Sequence, residues 1–106
     1  MKLTNNNCEF IWREVGDLIV EGKRNSIKGF EAILNNEDNR KWIDIFHKGL
    51  KYYTSKEFID AKAEFSKVIE LKFNGDNLSK YYINNCDNII NSNLPKNWQP
   101  IIETRK

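Results

Sequence analysis

The period of the apolar residues changes once along this chain, at Asn35-Asn36-Glu37-Asp38-Asn39, from two residues to about 3.6. Upstream, residues 8 to 34 (CEFIWREVGDLIVEGKRNSIKGFEAIL) are rich in β-branched and aromatic side chains. Cys8, Phe10 and Trp12 alternate with Glu9, Ile11 and Arg13, Leu18 and Val20 flank Ile19, and Ile27 to Leu34 makes a third extended run. Turn signals at Val15-Gly16-Asp17 and at Gly22-Lys23-Arg24-Asn25-Ser26 separate the runs, which predicts a short antiparallel β-meander. A ribbon of this size is marginal in water and needs a helix layer or a larger sheet against it. The chain is therefore expected to be α+β, with residues 1–36 a strand segment and residues 37–106 a helical domain carrying a C-terminal tail.

Downstream, the spacing predicts a first helix from about Arg40 to Tyr53, with Trp42, Phe46, Gly49, Leu50 and Tyr53 on one side and Ile45 and Tyr52 widening that face. Thr54 and Glu57 have the spacing of a capping box, and Phe58, Ala61, Phe65, Val68 and Leu71 then recur at helical intervals. Asn74-Gly75-Asp76 ends this second helix, with glycine at a left-handed stop. Asp76 or Asn77 caps a third, which carries Leu78, Tyr82, Cys86 and Ile89. Pro95 and Pro100 forbid further helix, so Leu94 to Lys106 is expected to be an extended tail anchored by Trp98 and Ile101 in the groove of the second and third helices.

Charge and composition exclude several classes. Lys and Arg number 17 against 15 Asp and Glu, a net charge of +2 with the signs interspersed, which is not the basic stripe of a nucleic-acid module. No apolar run approaches the ~18 to 20 residues of a membrane span, and the Met1-Lys2-Leu3-Thr4-Asn5 start lacks a signal peptide's apolar stretch. Cys8 and Cys86 have neither CxxC spacing nor histidines beside them, which reads as two reduced, half-buried thiols and a cytoplasmic location. With 13 aromatic residues (Trp 3, Tyr 4, Phe 6) in so short a chain, the aromatics are expected to dominate the core.

The helical stretch resembles a tetratricopeptide repeat. Gly49, Tyr52, Ala61, Phe65 and Val68 fall where that repeat places small, aromatic, small, aromatic and small apolar residues. Gly49 and Ala61 would let two helix backbones approach, with Tyr52 and Phe65 filling the volume beside them. Lys48 stands where a leucine is usual and Phe73 where a proline is usual. A single repeat cannot bury its own faces, so the third helix and the Trp98 tail are expected to cap it.

The order of the pieces resembles something larger. Phe46, Gly49, Leu50 and Tyr53, then Phe58, Ala61 and Phe65, then Asp76, Ser79, Tyr82 and Cys86, then Pro95 and Trp98 follow the cadence F-x-x-G-L-x-x-Y, F-x-x-A-x-x-x-F, D-x-x-S-x-x-Y-x-x-x-C, P-x-x-W. That cadence is similar to the C-terminal tail of some bacterial class III adenylate/guanylate cyclases. Arg13-Glu14-Val15-Gly16, Leu18, Val20, Gly22, Lys23 and Phe30-Glu31 resemble the last strands of the same family's catalytic domain, R-E-L-G-x-V-x-V-K-G-K and a Y-E strand. The resemblance spans about residues 10 to 104.

For such a cyclase the resemblance implies two-metal phosphoryl chemistry, but the family's metal-binding aspartates, base-selecting residues and asparagine/arginine pair lie upstream of the matched segment. The triphosphate-binding lysine of V-K-G-K is replaced by Glu21, a carboxylate that repels phosphate, which leaves Lys23 as the candidate phosphate contact. No catalytic residue, metal ligand or cofactor is expected. His47 reads as a surface histidine; Ser55, Ser66, Ser79 and Ser92 have no histidine to activate them; Asp38, Asp44, Asp60 and Glu64 read as a solvated helix face. The residues singled out for interaction or structure are Gly49, Tyr52, Ala61, Phe65 and Trp98. The expected function is a non-catalytic interaction or regulatory module in cyclic-nucleotide signalling, with a protein partner, the rest of a cyclase chain or a second copy, and no nucleic acid or membrane contact. Two alternatives stay open: part of an active adenylate or guanylate cyclase whose catalytic residues lie outside this chain, and an autonomous adaptor binding peptides in a helical groove.

Overall fold

A computed structural model describes residues 9–20, 27–72, 74–92, 98 and 100–104, without the side chains of 19, 20 and 101–104. The elements are strands β1 (Phe10–Val20) and β2 (Ile27–Leu34), helices α1 (Glu37–Thr54), α2 (Phe58–Leu71) and α3 (Asn77–Ile90), and strand β3 (Ile101–Thr104). The fold is α+β: a β1–β2 hairpin followed by three helices, with β3 returning to the sheet in the order β2-β1-β3. No helix among the described residues is long and apolar enough to cross a membrane.

The expected meander is a two-stranded hairpin. Val15-Gly16-Asp17 is not a turn; β1 runs through it as one 11-residue strand. The pairing with β2 shifts register between Glu14 and Gly16, and Gly16 takes φ 122°, so the extra residue is absorbed as a bulge rather than a reversal. The turn signal at Gly22 to Ser26, and Cys8 at the start of the first run, lie outside the described residues. The tail also differs from expectation. After Pro100 it enters a parallel ladder with β1, Asp17 pairing with Ile101 through Val20 with Thr104, so backbone pairing holds it as well as side chains.

α1 begins at Glu37, three residues before the expected Arg40, because the Asn36 side chain accepts from the Asn39 N–H at 2.8 Å and caps it. The Thr54–Glu57 capping box does not form. α1 ends instead in a Schellman motif: Lys56 is left-handed (φ 65°), its N–H donates to the Tyr53 carbonyl, and the Glu57 N–H donates to the Tyr52 carbonyl. Thr54 Oγ1 turns back to donate to the Lys51 carbonyl. Asn74 and Gly75 are both left-handed (φ 67° and 76°), and Asp76 caps α3.

The core sits among the helices: Trp42, Ile43, Phe46, Leu50 and Tyr53 of α1, Phe58, Ala61, Phe65 and Val68 of α2, and Tyr82 and Cys86 of α3. Phe65 stacks on Tyr82 (centroids 5.0 Å apart, rings 9° from parallel) and meets Phe46 edge-on at 5.2 Å. Ile11 and Ile33, on the inward side of the hairpin, pack against this cluster. Cys86 is a free, fully enclosed thiol rather than a half-buried one, and burial pushes it up to about 11.

Candidate functional site

Alternation along β1 turns Arg13 inward, onto the helices, where it is 3% exposed. A buried guanidinium must have its donors satisfied, and here two carboxylates do so. On one side Nε and Nη2 donate to Oε1 of Glu31, the residue directly opposite in β2, at 2.9 and 2.5 Å. On the other side Nη1 donates to Asp76 Oδ2 at 2.7 Å. The guanidinium lies over the Phe46 and Trp42 rings, 4.6 and 5.0 Å from their centroids.

Asp76 joins two tasks. The Oδ2 atom that takes the Arg13 bond also accepts from the Ser79 N–H (3.1 Å) and hydroxyl (2.6 Å), so one carboxylate both caps α3 and ties it to β1. Burial alone would raise this carboxyl; the hydrogen bonds from Arg13 and Ser79 outweigh it and hold it below the usual range. Lys72 Nζ lies 3.6 Å from its other oxygen and 5.3 Å from the centre of the Trp42 ring.

The next two residues of β1 form a second junction. β3 pairs only with Asp17 to Val20, so the Glu14 N–H finds its acceptor on α1, in Nε2 of His47 at 2.9 Å. Tyr82 of α3 donates its hydroxyl to the Val15 carbonyl at 2.6 Å. Two helix side chains thus grip the bulge from the donor and the acceptor sides. His47 is half-buried rather than on the surface, and desolvation lowers its pKa below the ordinary value against the pull of Glu14 and Asp44. Burial pushes Tyr53 up to about 12 and Tyr82 upward as well, so both act as neutral phenols. A cleft of about 230 Å³ opens beside this junction, with Glu14, Asp17 and Lys28 on the sheet side, His47 and Lys51 on α1, and Pro100 on the tail.

The opposite face of the hairpin is bare. Phe10, Trp12, Phe30 and Leu34 point away from the helices and are 52 to 63% exposed. Phe10 sits opposite Leu34 and Trp12 opposite Ala32, so the four form one apolar face, and Trp12 and Phe30 line a shallow depression in it. Aromatic residues expected in the core therefore divide: those of the helices are enclosed, those of the strands are not. Together they make one exposed apolar face on the side of the hairpin away from the helices.

Of the residues singled out from sequence, Gly49, Ala61 and Phe65 meet in the core. A Cβ on Gly49 would lie 2.9 Å from the Phe65 ring, so the glycine makes room for that ring, and Ala61 is fully enclosed. Tyr52 is half-buried at the edge of the same cluster. Trp98 is half-buried and packs edge-on against Tyr53 of α1 and Phe58 of α2, 5.5 and 5.3 Å between centroids. Lys23, Glu21, Phe73 and Pro95 lie outside the described residues, and Lys48 is exposed. Glu64 is buried rather than solvated, 3.4 Å from Lys67, whereas Asp38, Asp44 and Asp60 are exposed. Ser79 is engaged as the capping partner of Asp76. Among the described residues no three His, Cys, Asp or Glu side chains gather where they could hold a metal.

Arg13 and His47 are the residues whose roles sequence reasoning missed. A charged residue on the inward side of an alternating strand signals a buried partner, but nothing local says that the partner is 63 residues away. Searches against protein-family models, curated proteins and solved structures find no match to this chain.

Proposed function

We propose that this chain is a non-catalytic interaction module, resembling the C-terminal region of a class III nucleotide cyclase, and that its partner covers the bare face and free edge of the β1–β2 hairpin. The observation that carries this reading is the contrast between the hairpin's two faces. One is bolted to the helices through Arg13, His47 and Tyr82; the other exposes Phe10, Trp12, Phe30 and Leu34. A hairpin held so firmly on one side presents the other as a preformed surface, and among the described residues no strand pairs with the outer edge of β2. The cyclase resemblance supplies the chemistry of the partner, a mixed α/β catalytic core in which these strands would extend the sheet. Arg13, Asp76 and Ser79, which belong to the strand half and the helix half of the resemblance, are in direct contact, so both halves act as one unit.

Calorimetric titration tests this. A class III cyclase catalytic domain ending before its last strands should bind the chain with a Kd of about 10 μM or tighter, and the Trp12→Ser/Phe30→Ser variant should bind at least about tenfold more weakly. Absence of heat with the wild-type chain would overturn the reading.

A further inference from the structure

We propose that His47 is a proton-operated latch on the β1 bulge: as a neutral imidazole it holds the Glu14 amide against α1, and on taking up a proton it lets that segment go while Arg13 and Asp76 keep the hairpin attached. One bond carries this. Nε2 accepts from the Glu14 N–H at 2.9 Å, so in this state Nδ1 carries the ring's proton. A second proton must go to Nε2, which sets two donors against each other. The bond is then lost.

The bulge is a suitable place for such a release. Register already shifts between Glu14 and Gly16, and Gly16 is left-handed, so this stretch can move without breaking the Phe10–Arg13 ladder with β2. Arg13 and Glu14 face His47 from β1 and Asp44 lies on its own helix; Asp17, Lys28, Lys51 and Tyr82 share the cleft beside it. Lys28 is paired with Glu14 at 3.2 Å. When the imidazolium forms, the Glu14 and Asp44 carboxylates are the groups that attract it, and Glu14 exchanges its lysine for the new cation. Desolvation and Arg13 favour the neutral ring, so the latch opens below the ordinary histidine value of 6.5. The second lock does not open there, because Arg13 and Ser79 hold the Asp76 carboxyl ionised to still lower pH.

Amide hydrogen exchange and imidazole ¹⁵N shifts of the full chain test the latch. At about pH 7.5 the shifts should report an unprotonated Nε2 and a protonated Nδ1. Between about pH 7.5 and 5 the protection factor of the Glu14 amide, corrected for intrinsic exchange, should fall at least ~10-fold while those of Ala61 to Val68 hold. The His47→Gln variant offers an acceptor that takes up no proton, and its Glu14 protection should be flat over the same range. A constant Glu14 protection in the wild type, an Nε2–H tautomer near neutrality, or a fall that persists in H47Q would each overturn the proposal. If H47Q fails to fold, the wild-type exchange and shifts decide alone.

Discussion

Arg13 and Asp76 are bound side chain to side chain at 2.7 Å across 63 residues of sequence, and through that bond the strand hairpin and the start of α3 become one structure. Removing one partner leaves the other buried charge short of a hydrogen-bonded counter-ion, Asp76 with Lys72 at 3.6 Å and Arg13 with Glu31 alone, a loss of about 3 to 5 kcal/mol. Arg13→Met should lower stability by that amount in urea unfolding. The Arg13→Met/Asp76→Asn double variant should lose less than the sum of the single changes, since the two act on one interaction. Additive losses would mean that the bond is not a stabilising contact.

The same carboxylate sets an acid limit. Its folded pKa lies below the unfolded value of 3.8, so its contribution is fully present above that value and is lost as pH falls through the folded one. Thermal unfolding followed from neutrality down to about pH 2 should show a steep loss below about pH 4 in the wild type and a shallower one in Asp76→Asn. Identical acid profiles would contradict this.

Ala61 is fully enclosed beside Phe65, whose ring also fills the space left by Gly49. Ala61→Leu should therefore overpack the α1–α2 contact and cost about 1 to 3 kcal/mol, read as a lower urea midpoint at unchanged slope. An unchanged midpoint would place the site at the edge of the core.

Trp98 is half-buried against Tyr53 and Phe58, so Trp98→Ala should cost about 2 kcal/mol, less than the ~3 to 5 of a fully enclosed tryptophan. Because the residue leads into β3, exchange at Asp17 to Val20 should quicken in the same variant. Wild-type melting with unchanged exchange would show that the β3 ladder holds the tail without the indole.

Wherever the cue was periodic, the sequence was readable. The three helices and most of their buried faces follow from spacing, and Asp76 follows from its cap position. Features resting on a single backbone angle were not: Lys56 closes α1 left-handed where glycine is the usual signal, and Gly16 makes a bulge with the same residues that make a turn. The sides of the hairpin were illegible for another reason. Phe10 and Trp12 carry the apolar signal, yet the covered side is the one bearing Arg13, because Glu31, Asp76 and two aromatic rings together satisfy it. Long-range partners of this kind leave no local pattern, and the same holds for His47 and the Glu14 amide.

On the proposed reading no catalysis by the chain alone is expected, because the cyclase resemblance puts Glu21 where that family has a triphosphate-binding lysine. Incubation with ATP or GTP and manganese should yield no cyclic nucleotide above a buffer blank. Product formation abolished by a substitution within this chain would contradict that.

The most direct test of the proposed interaction surface is hydrogen exchange of this chain with and without the truncated cyclase catalytic domain. Added protection is predicted in residues 9–14 and 28–34, the bare face and free edge of the hairpin, with α2 and α3 unchanged. Protection confined to α2 and α3, or none anywhere at saturating partner, would contradict the assignment of the hairpin as the surface through which this protein acts.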